Sequence, residues 1–143
     1  MEIFDLSQVL EEVERLKSKD GEIRRKHILV VDDDVRILKM LKVHLQDYDV
    51  ATAISGKLAL KFLETKTTDL ILLDYEMPGE KGPEVLKKLR DNDKTKDIPV
   101  IFLTGVAEKD KIEEVLLMQP QGYLLKPINR TKLLETIKKF VWS

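Results

Sequence analysis

The sequence predicts an α/β fold, a five-stranded, doubly wound parallel sheet with helices on both faces and one additional N-terminal helix. Two observations carry that expectation. Five short apolar runs alternate with segments of helical periodicity along the chain, the pattern of repeated strand-helix units. The runs are also continuously apolar rather than alternating, as strands covered on both faces are.

Each element has its own grounds. Ile28-Leu29-Val30-Val31 is the first strand, three of its four residues β-branched. Val35, Leu38, Leu41 and Leu45 then recur at steps of three and four, an apolar stripe along a helix. A weaker run over 50–54 marks a second strand, and Ser55 is placed to cap a helix holding Leu58, Leu60, Phe62 and Leu63. The run "LILL" at 70–73 is the third strand, and Pro83 suits the first turn of a helix carrying Val85, Leu86 and Leu89. "VIFL" at 100–103 is the fourth, followed by a helix marked by Ile112, Val115 and Leu116, which Pro120 should end early. "YLL" at 123–125 and a helix with Leu133, Leu134, Ile137 and Phe140 complete the set.

Residues 1–25 form a separate arm ahead of a domain spanning 26–143. Leu6, Val9, Val13 and Leu16 step by three, four and three, a narrow seam of about two heptads. Glu11, Glu12, Glu14, Arg15 and Lys17 cover the rest, and Asp20-Gly21 should end the helix. Two heptads alone are marginal in water, so the arm either folds onto its own domain or serves as a homodimer or partner helix.

Composition narrows the function. The 143 residues carry 26 acids and 25 bases, a net charge of −1, which gives no general attraction to nucleic acid or an anionic membrane. The absence of cysteine rules out disulfides and thiolate metal sites and is compatible with a reducing cytosol. No apolar run approaches the ~20 residues of a membrane span. The first residues lack the basic start and apolar run of a signal peptide, so a cytoplasmic location is expected.

In a doubly wound sheet the ligand site lies beyond the carboxyl ends of the strands. Asp32, Asp33 and Asp34 follow the first run, Asp74 the third, Thr104 the fourth and Lys126 the fifth. Parallel strands bring these groups to one rim. Carboxylates held together repel, and either take up protons or bind a cation. An oxygen-only ligand set points to Mg²⁺. Beside such an ion one carboxylate can attack phosphorus, while lysine and threonine hold the phosphoryl oxygens.

The motifs "ILVVDDD", "DLILLDYEMPGEKGPEVLKKLR", "IPVIFLTG" and "GYLLKPI", in this order and spacing, resemble the receiver domain of two-component response regulators. The resemblance covers roughly residues 26 to 141 and implies the flavodoxin-like, CheY-like fold. It makes Asp74 the phosphoacceptor and Asp33 a direct Mg²⁺ ligand, with Asp32 acting through water and Glu76 through its backbone carbonyl. Thr104 and Lys126 would bind the phosphoryl group, and Thr104 and Tyr123 would form the conformational switch. A cis peptide before Pro127 would aim Lys126 inward. The implied partner is a histidine kinase or phosphotransfer protein. With no DNA-binding or catalytic domain after Trp142, output is expected through a protein contact or a portion absent from this chain.

Other residues fall outside these roles. Asp34 is expected at the N-terminus of the next helix, where the dipole favours an acid. His27 and His44 are expected at the surface or a strand edge rather than in phosphotransfer. Glu76 is acidic where many receivers carry an amide or apolar residue, and Val106 cannot position a water. "MQPQGYLL" departs from the usual approach to the aromatic and puts the nearby surface shape in doubt. Haloacid-dehalogenase-like phosphatases are a competing enzyme class, with Asp32-Asp33-Asp34 imitating their acid pair and Lys126 their distal lysine. Arg36 and the missing acidic pair in "VIFLTGVAEKD" argue against it. The complete set of groups argues against a binding-only pseudo-receiver.

Overall fold

The computed structural model describes residues 6–16, 25–105 and 109–141. In chain order the elements are α1 (Leu6–Leu16), β1 (His27–Val31), α2 (Val35–His44), β2 (Asp49–Ala53), α3 (Gly56–Thr65), β3 (Leu70–Asp74), α4 (Gly82–Arg90), β4 (Val100–Thr104), α5 (Lys109–Leu117), β5 (Gly122–Leu125) and α6 (Arg130–Val141). The five strands form one parallel sheet in the order β2-β1-β3-β4-β5. The chain leaves β1 toward β2 on one side and β3 on the other, so strand order reverses there and a crevice opens at their carboxyl ends.

The two periodicities meet in the core. Ile28 and Val30, Leu70 and Leu72, and Ile101 and Leu103 point to one face, where α2 and α6 add Leu38, Leu41, Leu133 and Ile137. Leu29 and Val31, Ile71 and Leu73, and Val100 and Phe102 point to the other, against Ala59, Val85, Leu86, Leu89 and Val115 of α3, α4 and α5. Coverage of both faces is why the central runs are unbroken. β2 and β5 lie at the edges and are partly exposed, which accounts for the weaker apolar signal at 50–54.

Local chemistry sets the helix ends. The Asp34 carboxylate caps α2 by accepting the Arg36 N–H at 2.9 Å. The Ser55 hydroxyl caps α3 by accepting the Leu58 N–H at 3.1 Å. Each cap satisfies a donor that lacks an intrahelical partner. α5 stops at Leu117, and Gln119 follows with φ of 53° ahead of Pro120.

Some expected stripe positions are displaced. Val35 and Leu58 are about half exposed, and Leu116 is exposed beside buried Val115. The buried face of α3 is instead Gly56, Ala59 and Leu63. Gly56 is needed there because a Cβ would strike the Val85 side chain across the α3–α4 contact. Phe140 sits at the margin of the α6 stripe, whose centre is Leu133, Ile137 and Val141. In α1, Leu6 is exposed and Val13 half-buried. The side chains of Val9 and Leu16, like Asp20-Gly21 and Val106, lie outside the described residues. His27 opens β1 at the amino rim and His44 closes α2.

Candidate functional site

Asp32, Asp74, Thr104 and Lys126 each stand at the last ladder bond of a strand or just past it. Asp32 follows β1, and its N–H donates to the Ala53 carbonyl at 3.1 Å, extending the parallel ladder one step. Asp74 is the final residue of β3, in register with Leu103, and Tyr75 N–H continues the ladder to Leu103 O at 2.9 Å. Thr104 ends β4 opposite Leu125, and Lys126 N–H donates to Thr104 O at 2.8 Å. The Lys126–Pro127 peptide is cis.

The geometry is compact. Carboxylate oxygens of Asp32, Asp33 and Asp74 lie within 4.8 Å of one another. Asp32, Asp74 and Thr104 are buried, whereas Asp33 and Glu76 face solvent. The Lys126 ammonium sits 2.8 Å from Asp32 Oδ2 and 3.3 Å from Asp74 Oδ1, spanning both buried acids. Asp74 Oδ1 also accepts the Glu76 N–H at 3.3 Å, and Asp32 Oδ1 accepts the Asp34 N–H at 2.9 Å. Asp34 turns its own carboxylate to Arg36, with Nη2 at 3.0 Å from Oδ2, and so serves the helix. Tyr123 stands two residues short of the rim, paired with Phe102 and half-buried against the second apolar layer.

Burial first, and then the charge of Asp32, push the Asp74 carboxyl up to about 7, while the charge and hydrogen bond of Lys126 pull it back. Burial lowers Lys126, but its hydrogen bond to Asp32 and the two nearby carboxylates outweigh that and hold it above the ordinary lysine value. A folded-state pKa raised above the unfolded one gives an acid no penalty while both forms are protonated. The penalty grows as pH rises from the unfolded value of 3.8 toward about 7. Lys126 titrates above this window and adds no slope within it. In EDTA, the stability advantage of Asp74→Asn over the parent should therefore widen between pH 4.5 and pH 7. Urea unfolding at both values measures it, and a pH-independent difference would count against the electrostatic picture.

One contributor was not legible in the sequence. A Cβ at Gly82 would lie 2.6 Å from the Asp74 carbonyl oxygen, 2.9 Å from Tyr75 Cα and 3.0 Å from a Phe102 ring carbon. Gly82 N–H also donates to Tyr75 O at 2.9 Å. The start of α4 therefore presses directly on the backbone that carries Asp74. The glycine is visible in "MPGEKGPE", but its reason is a tertiary approach that no local pattern encodes. Gly82→Ala should cost about 1–3 kcal/mol of stability, read as a lower urea midpoint, and an unchanged midpoint would show that the backbone yields.

Residues 28–138 match the response regulator receiver domain. The chain belongs to this family. The receiver is 33% identical to chemotaxis protein CheY of Pseudomonas aeruginosa over 115 residues, which cover 78% of this chain and 93% of that protein. It is 37% identical over 123 residues to ycf27, a probable transcriptional regulator of Cyanidium caldarium, covering 83% of this chain but 47% of that protein. The chain thus spans about half the length of that relative. Among solved structures it is similar to the receiver domain of sensor histidine kinase PA1611 from Pseudomonas aeruginosa. The TM-score is 0.76 and the identity 26%, over 83% of this chain and 99% of that one. That structure holds a magnesium ion coordinated in its active-site cleft. Receiver domains of two-component systems are signalling modules that bind Mg²⁺ at an acidic site and work with histidine kinases or phosphotransfer proteins. Among the described residues no helix is long and apolar enough to cross a membrane.

Proposed function

We propose that this receiver accepts a phosphoryl group on Asp74 from a histidine kinase or phosphotransfer protein in a Mg²⁺-dependent reaction, and passes the signal through protein contacts in the cytoplasm. Residues 26–143 form the receiver and residues 1–25 its arm. The observation that supports this most is the convergence of three carboxylates within 4.8 Å of one another, two of them bridged by Lys126.

The donor set fits the ion, being hard oxygen ligands with two of the three acids buried. Asp33, Asp74 and the Glu76 backbone carbonyl would hold Mg²⁺ directly, and Asp32 through water. Bound there, the ion supplies positive charge that offsets the phosphoryl oxygens. Asp74 uses a carboxylate oxygen to attack phosphorus, and the P–N bond of a phosphohistidine donor breaks as the imidazole departs with the bonding pair. Lys126, already 3.3 Å from Asp74 Oδ1, pairs with the arriving phosphoryl oxygens, and Thr104 donates its hydroxyl proton to another. Thr104 and Tyr123 then shift between two arrangements, carrying α5 with them.

Signal lifetime depends on the water that hydrolyses the acyl phosphate. Glu76 is exposed, two residues past Asp74, and its carboxylate can orient that water or repel the phosphoryl oxygens. Positioning contributes more than an exposed charge that salt screens. Glu76→Ala should therefore lengthen the phosphorylated lifetime several-fold at matched Mg²⁺. Dephosphorylation as fast as the parent's, or faster, would give the repulsive role to Glu76. The function itself is tested by incubating the chain with Mg²⁺ and a small acyl phosphate and following incorporation at Asp74.

A further inference from the structure

The loop that joins β3 to α4 carries Glu76 and is closed on itself. It leaves Asp74 and returns at Gly82, whose N–H donates to Tyr75 O at 2.9 Å. Within that closure Met77 is buried in the second apolar layer, and Gly79 turns the chain with φ of 82°. Glu80 comes next, and its side chain is only 21% exposed. Its Oε1 accepts a hydrogen bond from the Lys88 ammonium at 2.6 Å, in the second turn of α4. Its Oε2 lies 3.3 Å from where a Cβ on Gly56 would stand. Gly56 is the first residue of α3, the end of a helix that favours an anion. One carboxylate thus ties the loop to two helices.

We propose that Glu80 and Lys88 are positioning residues for the metal, holding the loop so that the Glu76 backbone carbonyl faces the Mg²⁺ site. This rests on the Mg²⁺-dependent reading above, in which that carbonyl is a ligand. A side-chain ligand can swing toward an ion, but a backbone carbonyl goes only where its loop goes. Glu76 is fixed on its amino side, where its N–H donates to Asp74 Oδ1 at 3.3 Å. On its carboxyl side the chain runs through Met77 and Pro78 to Gly79, the residue with the widest conformational freedom. A fastening at Glu80, just past that glycine, removes loop arrangements that would turn the carbonyl away. Mg²⁺ demands near-ideal octahedral geometry, so the orientation of one ligand bears directly on affinity.

Lys88→Met separates positioning from charge. Loss of a cation would by electrostatics alone leave Mg²⁺ binding unchanged or tighten it, whereas a loosened loop weakens it. Calorimetric titration of the full chain with MgCl₂ should show binding about three- to tenfold weaker than the parent's, less than is lost with a group bonded to a ligand directly. Glu80→Ala should also weaken binding, and Glu80→Ala/Lys88→Met should be no weaker than Glu80→Ala, because the two act as a unit. Lys88→Arg, which keeps the charge and the reach, should bind as the parent does. In EDTA the urea midpoint of Lys88→Met should match the parent's, since the Lys88 side chain is 60% exposed and such ion pairs contribute little to global stability. Amide hydrogen exchange should meanwhile quicken over residues 76–81. Mg²⁺ binding by Lys88→Met as tight as the parent's, or tighter, overturns the proposal. So does weaker binding that comes with a lowered urea midpoint or with unchanged exchange over 76–81. A parent that binds no Mg²⁺ removes the metal reading and this proposal with it, whereas equal binding by parent and Lys88→Met removes the proposal alone.

Discussion

Asp74→Asn should abolish phosphodonor-dependent labelling of this receiver. The amide keeps the shape of the side chain but loses the anionic oxygen that attacks phosphorus, and removal of a nucleophile costs at least about 10³-fold in rate. Loss of fold cannot produce the same result, because Asp74 is buried beside Asp32 and its charge is a liability there. A neutral group at that position relieves repulsion, so the variant should unfold at a urea concentration no lower than the parent's. Stoichiometric labelling of a folded Asp74→Asn chain would remove Asp74 from the role proposed for it.

Mg²⁺ should stabilise the fold, and Asp33→Asn should remove most of that effect. An ion that binds only the native state contributes RT ln(1 + [L]/Kd), about 1.4 kcal/mol at ten times Kd. For a chain of this size that is a rise of about 3–6 °C in Tm. Asp33 is the exposed member of the three-carboxylate group, so its replacement leaves packing intact and isolates the ligand contribution. Asp32, by contrast, also holds Lys126 at 2.8 Å, and Asp74 carries the unfavourable buried charge, so substituting either changes stability apart from the metal. Differential scanning fluorimetry from zero to 10 mM Mg²⁺ reads both chains, and a flat melting temperature for the parent would sink the metal assignment.

How much of this was legible in the sequence depended on what each feature rests on. Strands β1, β3 and β4 were plain because both their faces are covered, and the polar residues that end them converge through strand register alone. Ser55 and Asp34 could be assigned to helix starts because capping is local chemistry. Leu58 and Phe140 were placed in apolar stripes whose true centres are shifted, since periodicity marks a face but not its width or its partner. The convergence of Lys126 on the acids was legible, whereas the need for Gly82 and the specific Lys126 contact with Asp32 were not. Both depend on tertiary distances: the start of α4 against the Asp74 backbone and the Phe102 ring, and Lys126 against an acid 94 residues away. The apolar seam expected over Leu6, Val9, Val13 and Leu16 also omitted Leu10, which the helix presents beside Leu6.

The phosphoryl group is expected to reside on Asp74. An aspartyl phosphate is an acyl phosphate, which borohydride reduces to homoserine, marking the modified position permanently. The chain would be incubated with Mg²⁺ and a small acyl phosphate, quenched with borohydride, digested and sequenced by tandem mass spectrometry. Homoserine at position 74, dependent on both Mg²⁺ and the phosphodonor, is the predicted result. Homoserine at position 32 or 33, or phosphate recovered on a histidine with position 74 unmodified, would contradict it.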